Sequence, residues 1–366
     1  RDEGFFNVFA ALYYQHHHNN ALSQGAEFSA DPKDAYRAAS LDSLFLSSSE
    51  RLAKLLTNRQ QNQEKSREHA WSGKVNANYF SKVAHTPDYF KIEVNADFEH
   101  KTGTIFSDYR LRYGQSAQSL RPDEHQLRFV DVPTTKIHAK FRTEYVYRPE
   151  WGSITPFLDV SAAHLEDNRN FYRLDRLGAS TPEFGALPST TAALLQTLDT
   201  PNSYDSRHNS LDGTLGARCT IWLGGKLPNQ HITFTPTVNG SIERLTYRRD
   251  ALHAHPRRNQ LFFLPTLSWG FDNCHIIYRM HAAYPELLNL LDYTDNADPL
   301  NLYYGNPHLQ RSTSHKVTFS RSWWKWKEGK KFFIDVTWDV TRNAVAHGQT
   351  YDAATGVRTF MPRNVD

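Results

Sequence analysis

Three consecutive histidines, His16, His17 and His18, are the first residues of this chain that suggest chemistry, because imidazole is the commonest metal ligand in proteins. The residues around them are typical of a strand, and an extended backbone points successive side chains to opposite faces. Three neighbours in a strand therefore cannot converge on one ion in the way that a zinc site requires. We predict the polar end of a strand here, with no metal and no cofactor.

A second basic group lies at residues 253–258 and contains His253, His255, Arg257 and Arg258. Guanidinium groups bind phosphate and carboxylate through paired hydrogen bonds, so these four side chains could receive an anion at a loop tip. The same composition is typical of solvated loop residues. We favour the solvated loop and name no ligand-binding residue.

Motifs that mark known catalytic sites are not found in the sequence. It contains no Gly-x-Ser-x-Gly, no His-Glu-x-x-His, no phosphate-binding glycine loop and no cysteine pair at zinc spacing. The net charge is only +3 and the Lys and Arg residues are scattered, which argues against nucleic acid as a partner. We therefore predict a protein that is not an enzyme.

The elements that carry these residues are predicted to be amphipathic strands. From residue 91 to 99 polar and apolar side chains alternate strictly, and residues 137–145 repeat the pattern. Because successive strand residues face opposite ways, each such strand has one apolar and one polar side. Strands of this kind at hairpin spacing are typical of a transmembrane β-barrel, with apolar side chains toward lipid and polar ones toward a water-filled lumen. The predicted lumen residues are Lys91, Glu93, Asn95, Asp97, Glu99, His138, Lys140, Arg142 and Glu144.

The composition agrees with this fold class, an all-β antiparallel barrel. The 39% hydrophobic content includes no run of the roughly 18 to 20 apolar residues that a membrane helix needs. Aromatic residues make up 13% of the chain and suit the two membrane interfaces. Trp323, Trp324 and Trp326, beside Lys325 and Lys327, are interpreted as part of such an aromatic girdle, and a sugar-stacking platform is the alternative.

About 11 to 12 strands are predicted, the last starting near Gly356. Short turns that contain Gly, Pro, Asn or Asp alternate with long connections, provided that residues 89–113 form one strand. A β-bulge near Gly103 would explain the shift of the apolar pattern within that strand. Outer-membrane barrels have short turns on one rim and long loops on the other. The other predicted strands are residues 3–16, 71–83, 135–148, 153–165, 209–223, 230–248, 259–271, 275–284, 313–325 and 331–342.

Two further features concern the loops and the cysteines. Residues 17–70 are predicted to be a long loop, partly helical at 39–68, and a weaker helical pattern covers 186–198. Cys219 and Cys274 are placed on strands separated by another strand. Neighbouring strands lie ~4.8 Å apart, so the two thiols would be roughly 10 Å from each other, which is too far for a disulfide. We expect two free thiols.

Residues 298–311 resemble a Gly-Asn-Pro-x-Leu-x-Pro-Glu pattern that follows a long extracellular loop in TonB-dependent receptor barrels. The resemblance extends over about residues 285–366, and this region is similar to the Bacteroidota type of these outer-membrane proteins. The matching residues are Gly305, Asn306, Pro307 and Leu309, while Arg311 and Ser312 stand in place of Pro-Glu.

The resemblance implies a barrel of roughly 22 strands, closed by an N-terminal plug, which imports nutrients across the bacterial outer membrane with energy relayed by TonB. Residues 1–366 are then expected to form one barrel segment without the plug domain, and we suspect a piece of a longer protein. The partners implied are outer-membrane lipid, TonB through the plug that is absent here, and a surface lipoprotein.

The leading hypothesis is therefore an outer-membrane receptor barrel that binds and imports a nutrient. A non-transporting barrel that serves as a scaffold or docks a partner protein is the second hypothesis, and a soluble β-sandwich binding module is the third. The apolar side chains separate the first two from the third, because a sandwich packs them inward whereas a membrane barrel leaves them outside.

Overall fold

The structure is a computed structural model that describes residues 4–28, 56–114, 122–224, 229–325 and 329–366. Most of these residues form antiparallel strands, as the alternating sequence predicts. Among them, no helix combines the length and apolar composition needed to cross a bilayer. The strands are β1 (Gly4–Phe28), β2 (Leu56–Lys82), β3 (Tyr89–Tyr113), β4 (Glu124–Asp131), β5 (Thr134–Val146), β6 (Gly152–Arg173), β7 (Tyr204–Trp222), β8 (His231–Thr235), β9 (Thr237–Arg249), β10 (Leu252–Ala254), β11 (Arg257–Phe263), β12 (Thr266–Phe271), β13 (Cys274–Ala283), β14 (Thr294–Asp298), β15 (Asn301–Tyr304), β16 (Ser312–Lys325), β17 (Lys330–Arg342), β18 (Ala344–Asp352) and β19 (Val357–Val365).

The main sheet, which we call the wall, has the order β1-β2-β3-β4-β6-β7-β8-β12-β13-β16-β17. β4 and β5 pair with β3 in one continuous register, and together they fill a single position that is interrupted at Pro133. β8 and β9 are likewise two halves of one position around Pro236, and β11 and β12 around Pro265. Proline cannot donate a ladder hydrogen bond, so the strands break at these residues while the register continues. The predicted strands up to residue 342 correspond to these positions.

β3 is one strand from Tyr89 to Tyr113, as the alternation of short and long connections requires. It pairs with β2 from Lys82 to Asn58 without any shift of register, so the predicted β-bulge near Gly103 is wrong. The apolar residues change sides because the two halves of the strand have different surroundings, as described below, and not because the backbone slips.

Short and long connections lie at opposite ends of the wall, as predicted. Short turns follow β2, β5, β7, β12 and β16, whereas β1, β3, β6 and β13 are followed by long connections and β9 by the small strand β10. Left-handed backbone angles at His85 (φ 60°), Asn229 (φ 55°) and Asp272 (φ 48°) tighten three of the short turns. We call the two ends of the wall the short-turn end and the long-loop end.

A second sheet of order β14-β15-β19-β18 packs against the wall at the long-loop end. Leu300 and Val357 of this region are buried against Tyr109 and Tyr113 of β3. These two tyrosines occupy alternate positions that continue, along β3, the polar side predicted from Lys91 onward. We therefore call the polar side of the wall inner, the apolar side outer, and the second sheet the inner sheet.

The predicted twelfth strand near Gly356 exists as β19, but it belongs to the inner sheet and not to the wall. Sequence reasoning also missed β4, β10, β14, β15 and β18. Cys219 and Cys274 are both free, as expected. They lie on β7 and β13, which are separated by two wall positions and not by the one that was predicted.

The loop predicted over residues 17–70 is wrong for the part up to Phe28 and for the part from Leu56 onward, because both belong to strands. Residues 29–55 lie outside the described part of the chain, together with most of the helix predicted over residues 39–68. The remainder of that helix is a strand because β2 is hydrogen-bonded along its whole length between β1 and β3, and this pairing outweighs local helical spacing.

The helical pattern predicted within residues 186–198 is present as a short helix, α1 (Thr191–Gln196). The Thr190 side chain accepts a hydrogen bond from the Ala193 backbone N–H at 3.2 Å and so caps its first turn. Residues Leu174–Ser180 form two short 3₁₀ segments with a kink at Gly178, and single 3₁₀ turns occupy Thr200–Asn202 and Leu288–Leu290.

Gly305→Ala tests whether the inner sheet depends on a close backbone contact. A Cβ at Gly305 would lie 1.8 Å from the Leu291 carbonyl oxygen, whereas a Cβ at Gly213 would meet nothing within 4 Å. We expect Gly305→Ala to lower the free energy of unfolding by about 1–3 kcal/mol, as overpacking does. The matched control, Gly213→Ala, should change it by less than about 0.5 kcal/mol. Urea titration in detergent measures both, and equal midpoints would contradict the expectation.

Candidate functional site

Exposed apolar side chains cover the outer side of the wall. Val94 of β3 is 41% exposed and lies directly opposite Phe141 of β5. Further along the sheet, Leu215 of β7 stands between Leu158 and Val238 of its two neighbouring strands. We call this surface the apolar band. Its other exposed members are Val75, Phe98, Ile137, Leu211, Phe234, Ile242, Leu261, Phe263, Leu267, Phe332, Val336 and Trp338.

A contiguous apolar surface of this extent is rare on soluble monomers and marks contact with a membrane or a partner. A β-sandwich would cover it with a second sheet, but in the described residues the inner sheet lies on the opposite side of the wall. The hypothesis of a soluble sandwich is therefore wrong. The wall has the organisation of a partial antiparallel β-barrel.

The inner side carries the predicted polar residues, and many of them bind one another. Asp97 Oδ1 lies 3.1 Å from His138 Nδ1 across the β3–β5 pair. The Arg142 guanidinium contacts Glu144 at 3.1 Å and Asp159 of β6 at 3.4 Å. The predicted separation of polar and apolar residues onto two faces is confirmed for these strands.

The two sides of β3 exchange character toward the long-loop end. Beyond Gly103 the inner side carries Tyr109, which is 2% exposed, and the outer side carries Asp108 and Arg110. Burial alone would raise the pKa of the Asp108 carboxyl, but hydrogen bonds from Arg110 and His125 lower it. Paired charges on the outer side show that the wall has left the apolar band at this height.

Asp295 ties the inner sheet to two strands of the wall. Its carboxylate accepts a hydrogen bond from Arg169 of β6 at 2.9 Å and another from Arg249 of β9 at 3.1 Å. Burial alone would raise the pKa of Asp295, but the charge of Arg169, the backbone N–H of Ala297 and the Arg249 side chain together lower it. We call Arg169, Asp295 and Arg249 the carboxylate clamp.

A second contact joins the inner sheet to β3, two strand positions from β6 of the clamp. The Tyr109 hydroxyl donates to Asp298 Oδ1 at 3.4 Å, and the Arg128 guanidinium lies 4.1 Å from the centroid of the Tyr109 ring. Burial lowers the pKa of Arg128 to about 10, so the side chain keeps its charge at neutral pH. Cationic side chains thus lie beneath the inner sheet at both contacts.

The receptor-like motif at Gly305 and Asn306 holds the inner sheet together. The Gly305 N–H donates to Tyr293 O at 3.2 Å, and the Asn306 N–H donates to Asn289 O at 2.7 Å. The Asn306 side chain donates to Pro362 O of β19 at 2.9 Å. The motif therefore joins the long connection after β13 to the C-terminal hairpin.

A polar cavity of about 390 Å³ opens at the long-loop end, and Arg249 of the clamp is part of its lining. The lining also includes Tyr204 and, at outer-side positions of β6, β7 and β9, Asn168, Asp205 and Arg248. Amide, hydroxyl and guanidinium groups of this kind offer many hydrogen-bond donors, so the cavity suits a hydrophilic solute.

His16 and His17 of the histidine run occupy consecutive positions of β1. His16 Nδ1 lies 3.1 Å from His69 Nδ1 of β2, and the next residue, His17, is in register with Glu68. Within the described residues no three His, Cys, Asp or Glu side chains are placed to hold a metal ion. The side chain of His18 lies outside that part.

The basic residues at 253–258 are not brought together as one anion site. Arg258 points inward and donates to Glu243 Oε2 at 2.7 Å. Arg257 points outward, directly opposite Arg244 of β9. His253 and His255 are exposed on the outer side as well, near the long-loop end.

Trp323 of the predicted girdle lies at the short-turn end. Its ring is 5.4 Å from that of Phe332, and the Arg321 guanidinium lies 4.5 Å from its centroid. The side chain of Trp324 and all of Trp326 fall outside the described residues, so that part of the girdle stays a prediction.

Sequence reasoning missed the carboxylate clamp. Asp295 is 126 residues from Arg169, and no local pattern connects the two. The only available signal was the position of Asp295 just before the receptor-like motif, in the connection that the resemblance singles out.

Comparisons with known proteins give no match to a protein-family model or to a curated protein sequence. Among solved structures, the chain is similar to the hemophore receptor HasR of Serratia marcescens, a double mutant in complex with its hemophore HasA and heme, at 12% identity and TM-score 0.39 over 84% of this chain and 50% of that one. The copper transporter OprC matches at 8% identity and TM-score 0.45, over 100% and 56%. The alcaligin outer-membrane receptor FauA from Bordetella pertussis matches at 9% identity and TM-score 0.39, over 99% and 55%.

This chain spans about half the length of these solved structures. TM-scores below 0.5 do not by themselves assign a fold or a function. The architecture therefore rests on the strand order and on the two-faced wall.

Val94→Arg tests whether the apolar band faces lipid. Val94 lies in the middle of the band, so a charged side chain there should destabilise the protein folded in a bilayer by about 2–4 kcal/mol. Asn95→Arg, one residue further on and on the inner side, is the matched control and should be tolerated. Urea-dependent folding into phosphatidylcholine vesicles, followed by gel mobility, measures both. Equal stability of the two variants would show that the band does not face lipid.

Acid should release the carboxylate clamp. Because the folded-state pKa of Asp295 lies below its ordinary value of 3.8, its pairing contributes fully above that value and is lost as the pH falls through the lowered pKa. Hydrogen exchange of residues 294–304, corrected for intrinsic rates, should therefore rise only in strong acid. Asp295→Asn should raise it already at pH 7, at a cost of about 1–3 kcal/mol, because the carboxylate is partly exposed.

The matched control for the clamp is Asp339→Asn, which removes a carboxylate that accepts from Ser314 within the wall. It should leave exchange in the inner sheet unchanged. An inner sheet that exchanges equally in the parent, Asp295→Asn and Asp339→Asn would show that the clamp does not hold it.

Proposed function

We propose that this chain is part of an outer-membrane receptor barrel of the TonB-dependent kind, which binds a hydrophilic nutrient at the long-loop end and passes it along the inner side. One observation carries the proposal: the same strands expose an apolar band on the outer side and form ion pairs on the inner side. Lipid can neither hydrogen-bond unpaired backbone groups nor solvate charges. A fully hydrogen-bonded wall with an apolar outer side and a charged inner side is suited to lipid on one side and water on the other.

The finer parts of the proposal rest on the resemblance at Gly305 and Asn306. They are location in the bacterial outer membrane, a Bacteroidota type of receptor, TonB coupling through a plug domain, and a surface lipoprotein partner. The structural use of the motif in closing the inner sheet supports its assignment to the loop region of such a barrel.

The ligand is proposed to bind near the carboxylate clamp. Arg169 and Arg249 already hold the carboxylate of Asp295, and Arg249 also lines the polar cavity. A ligand with carboxylate, phosphate or hydroxyl groups offers the same hydrogen-bond acceptors and competes with Asp295 for the two guanidinium groups. Ligand binding would then weaken the contact of Asp295 with Arg169 and Arg249 and so loosen the inner sheet from the wall.

A second candidate function is a non-transporting barrel that docks a partner protein. The observation that favours it is the inner sheet itself, which is packed against β3 and clamped to β6 and β9 across the inner side. A permanently fixed inner sheet would obstruct passage and leave the long-loop end as a docking surface.

Uptake by whole cells separates the two functions. Cells that express the complete protein are given labelled ferric siderophore, heme, copper or oligosaccharide, with and without a protonophore. We expect accumulation of at least one probe that requires energised cells and falls about tenfold or more in Arg249→Gln, which removes one arm of the clamp. Arg112→Gln, an exposed arginine of β3, is the control. Accumulation no higher than in cells without the barrel would favour the docking protein.

A further inference from the structure

Two arginines face each other across the β9–β11 ladder on the outer side of the wall. Arg244 is directly opposite Arg257, and both are exposed. The next pair, Leu245 with Pro256, is hydrogen-bonded through Leu245 N–H and Pro256 O at 3.1 Å. Pairs alternate along an antiparallel ladder, so Arg244 and Arg257 form a non-hydrogen-bonded pair, the kind in which side chains approach most closely.

This pair has no internal counter-charge. Within the described residues, neither guanidinium has a carboxylate within the 4.0 Å of an ion pair. Glu243 is adjacent in sequence but points inward, where Arg258 binds it. The residue opposite Arg244 on β7 is Asn209. Like charges directly opposite each other destabilise a sheet, unless an anion lies between them.

The position of the arginine pair along the strands indicates what kind of anion would bind between the two guanidinium groups. Ile242 and Leu261, members of the apolar band, lie on the same side of the same two strands and are 44% and 73% exposed. Arg244 is two positions beyond Ile242, a step of about 7 Å along the strand toward the long-loop end. The guanidinium groups therefore stand at the edge of the band, where lipid headgroups meet hydrocarbon chains.

We propose that Arg244 and Arg257 bind the phosphate group of a lipid in the outer leaflet, with the acyl chains of that lipid against Ile242, Leu261 and their neighbours in the apolar band. Guanidinium groups donate paired hydrogen bonds to phosphate oxygens, and one phosphate between two arginines cancels their repulsion. The proposal rests on the proposed function, since it needs the apolar band to lie in a membrane.

The exposed residues around the pair extend the same surface. Arg248 and His253 face each other further toward the long-loop end, in the same ladder. Asp205 lies opposite Arg248 on β7 and offsets part of that charge. The strongest unbalanced charge is therefore at Arg244 and Arg257, next to the apolar band.

The chain offers a matched control pair. Arg59 and Arg112 also lie directly opposite each other, on the outer side of β2 and β3, and both are exposed. They stand almost at the ends of these strands, well beyond the apolar band. The same double substitution can therefore be made at two opposed arginine pairs that differ in height on the wall.

Lipid retention by the complete protein in dodecyl maltoside tests the proposal. The protein is mixed with bisphosphorylated lipid A or with the same lipid stripped of its phosphates, and bound lipid is counted by mass spectrometry after gel filtration. The parent should retain the phosphorylated lipid in preference to the stripped one. R244Q/R257Q should weaken that binding about 25-fold, from about fivefold for each of the two cationic side chains lost. R59Q/R112Q should bind like the parent, and R244K/R257K should retain most of the binding.

Any of three results would overturn the proposal. The first two are full lipid retention by R244Q/R257Q and equal retention of the phosphorylated and stripped lipids by the parent. The third is complete displacement of the bound lipid by millimolar inorganic phosphate, which would indicate a free-anion site. Insertion into phosphatidylcholine vesicles is measured in parallel. If the protein inserts and R244Q/R257Q keeps its lipid, only this inference fails. If neither parent nor variants insert, the proposed function fails and this inference fails with it.

Discussion

The backbone hydrogen-bond ladder between neighbouring strands is the constraint on which the rest of the structure depends. It runs in one register from β2 to β3 over their whole length and continues past Pro133, Pro236 and Pro265, where a donor is missing. Since side chains alternate along each strand, a fixed register places every residue on one face or the other. A shift by one residue would move charges into the apolar band.

The same register explains why one strand serves two environments. Along β3 the apolar residues lie outside at Val94 and inside at Tyr109, although the backbone does not slip. What changes is the neighbour: the outer side leaves the apolar band while the inner side meets Leu300 and Val357 of the inner sheet region. The buried clusters of this chain are therefore found at the long-loop end, where the wall is packed by its own connections.

The inner side of the wall also carries charged residues next to its buried apolar ones, and this has a second consequence. A connection that folds over it must bring carboxylates or hydrogen-bond acceptors to meet Arg128, Arg169 and Arg249. Asp295 and Asp298 do so, and both lie in the connection after β13. The inner sheet is thus held in part by charge, whereas the outer side of the wall carries the exposed apolar band, so the two sides present different chemistries.

Local sequence by itself determined the strands with one polar and one apolar side and the alternation of short and long connections, because a side-chain period of two residues and the chemistry of tight turns are properties of neighbouring residues. It failed at residues 56–68, where helical spacing was outweighed by pairing with two strands. Only the tertiary structure decided that Asp295 meets Arg169, that Arg257 and Arg258 part to opposite sides, and that β19 joins an inner sheet. These contacts join distant segments, and they depend on the side of the wall to which each connection folds.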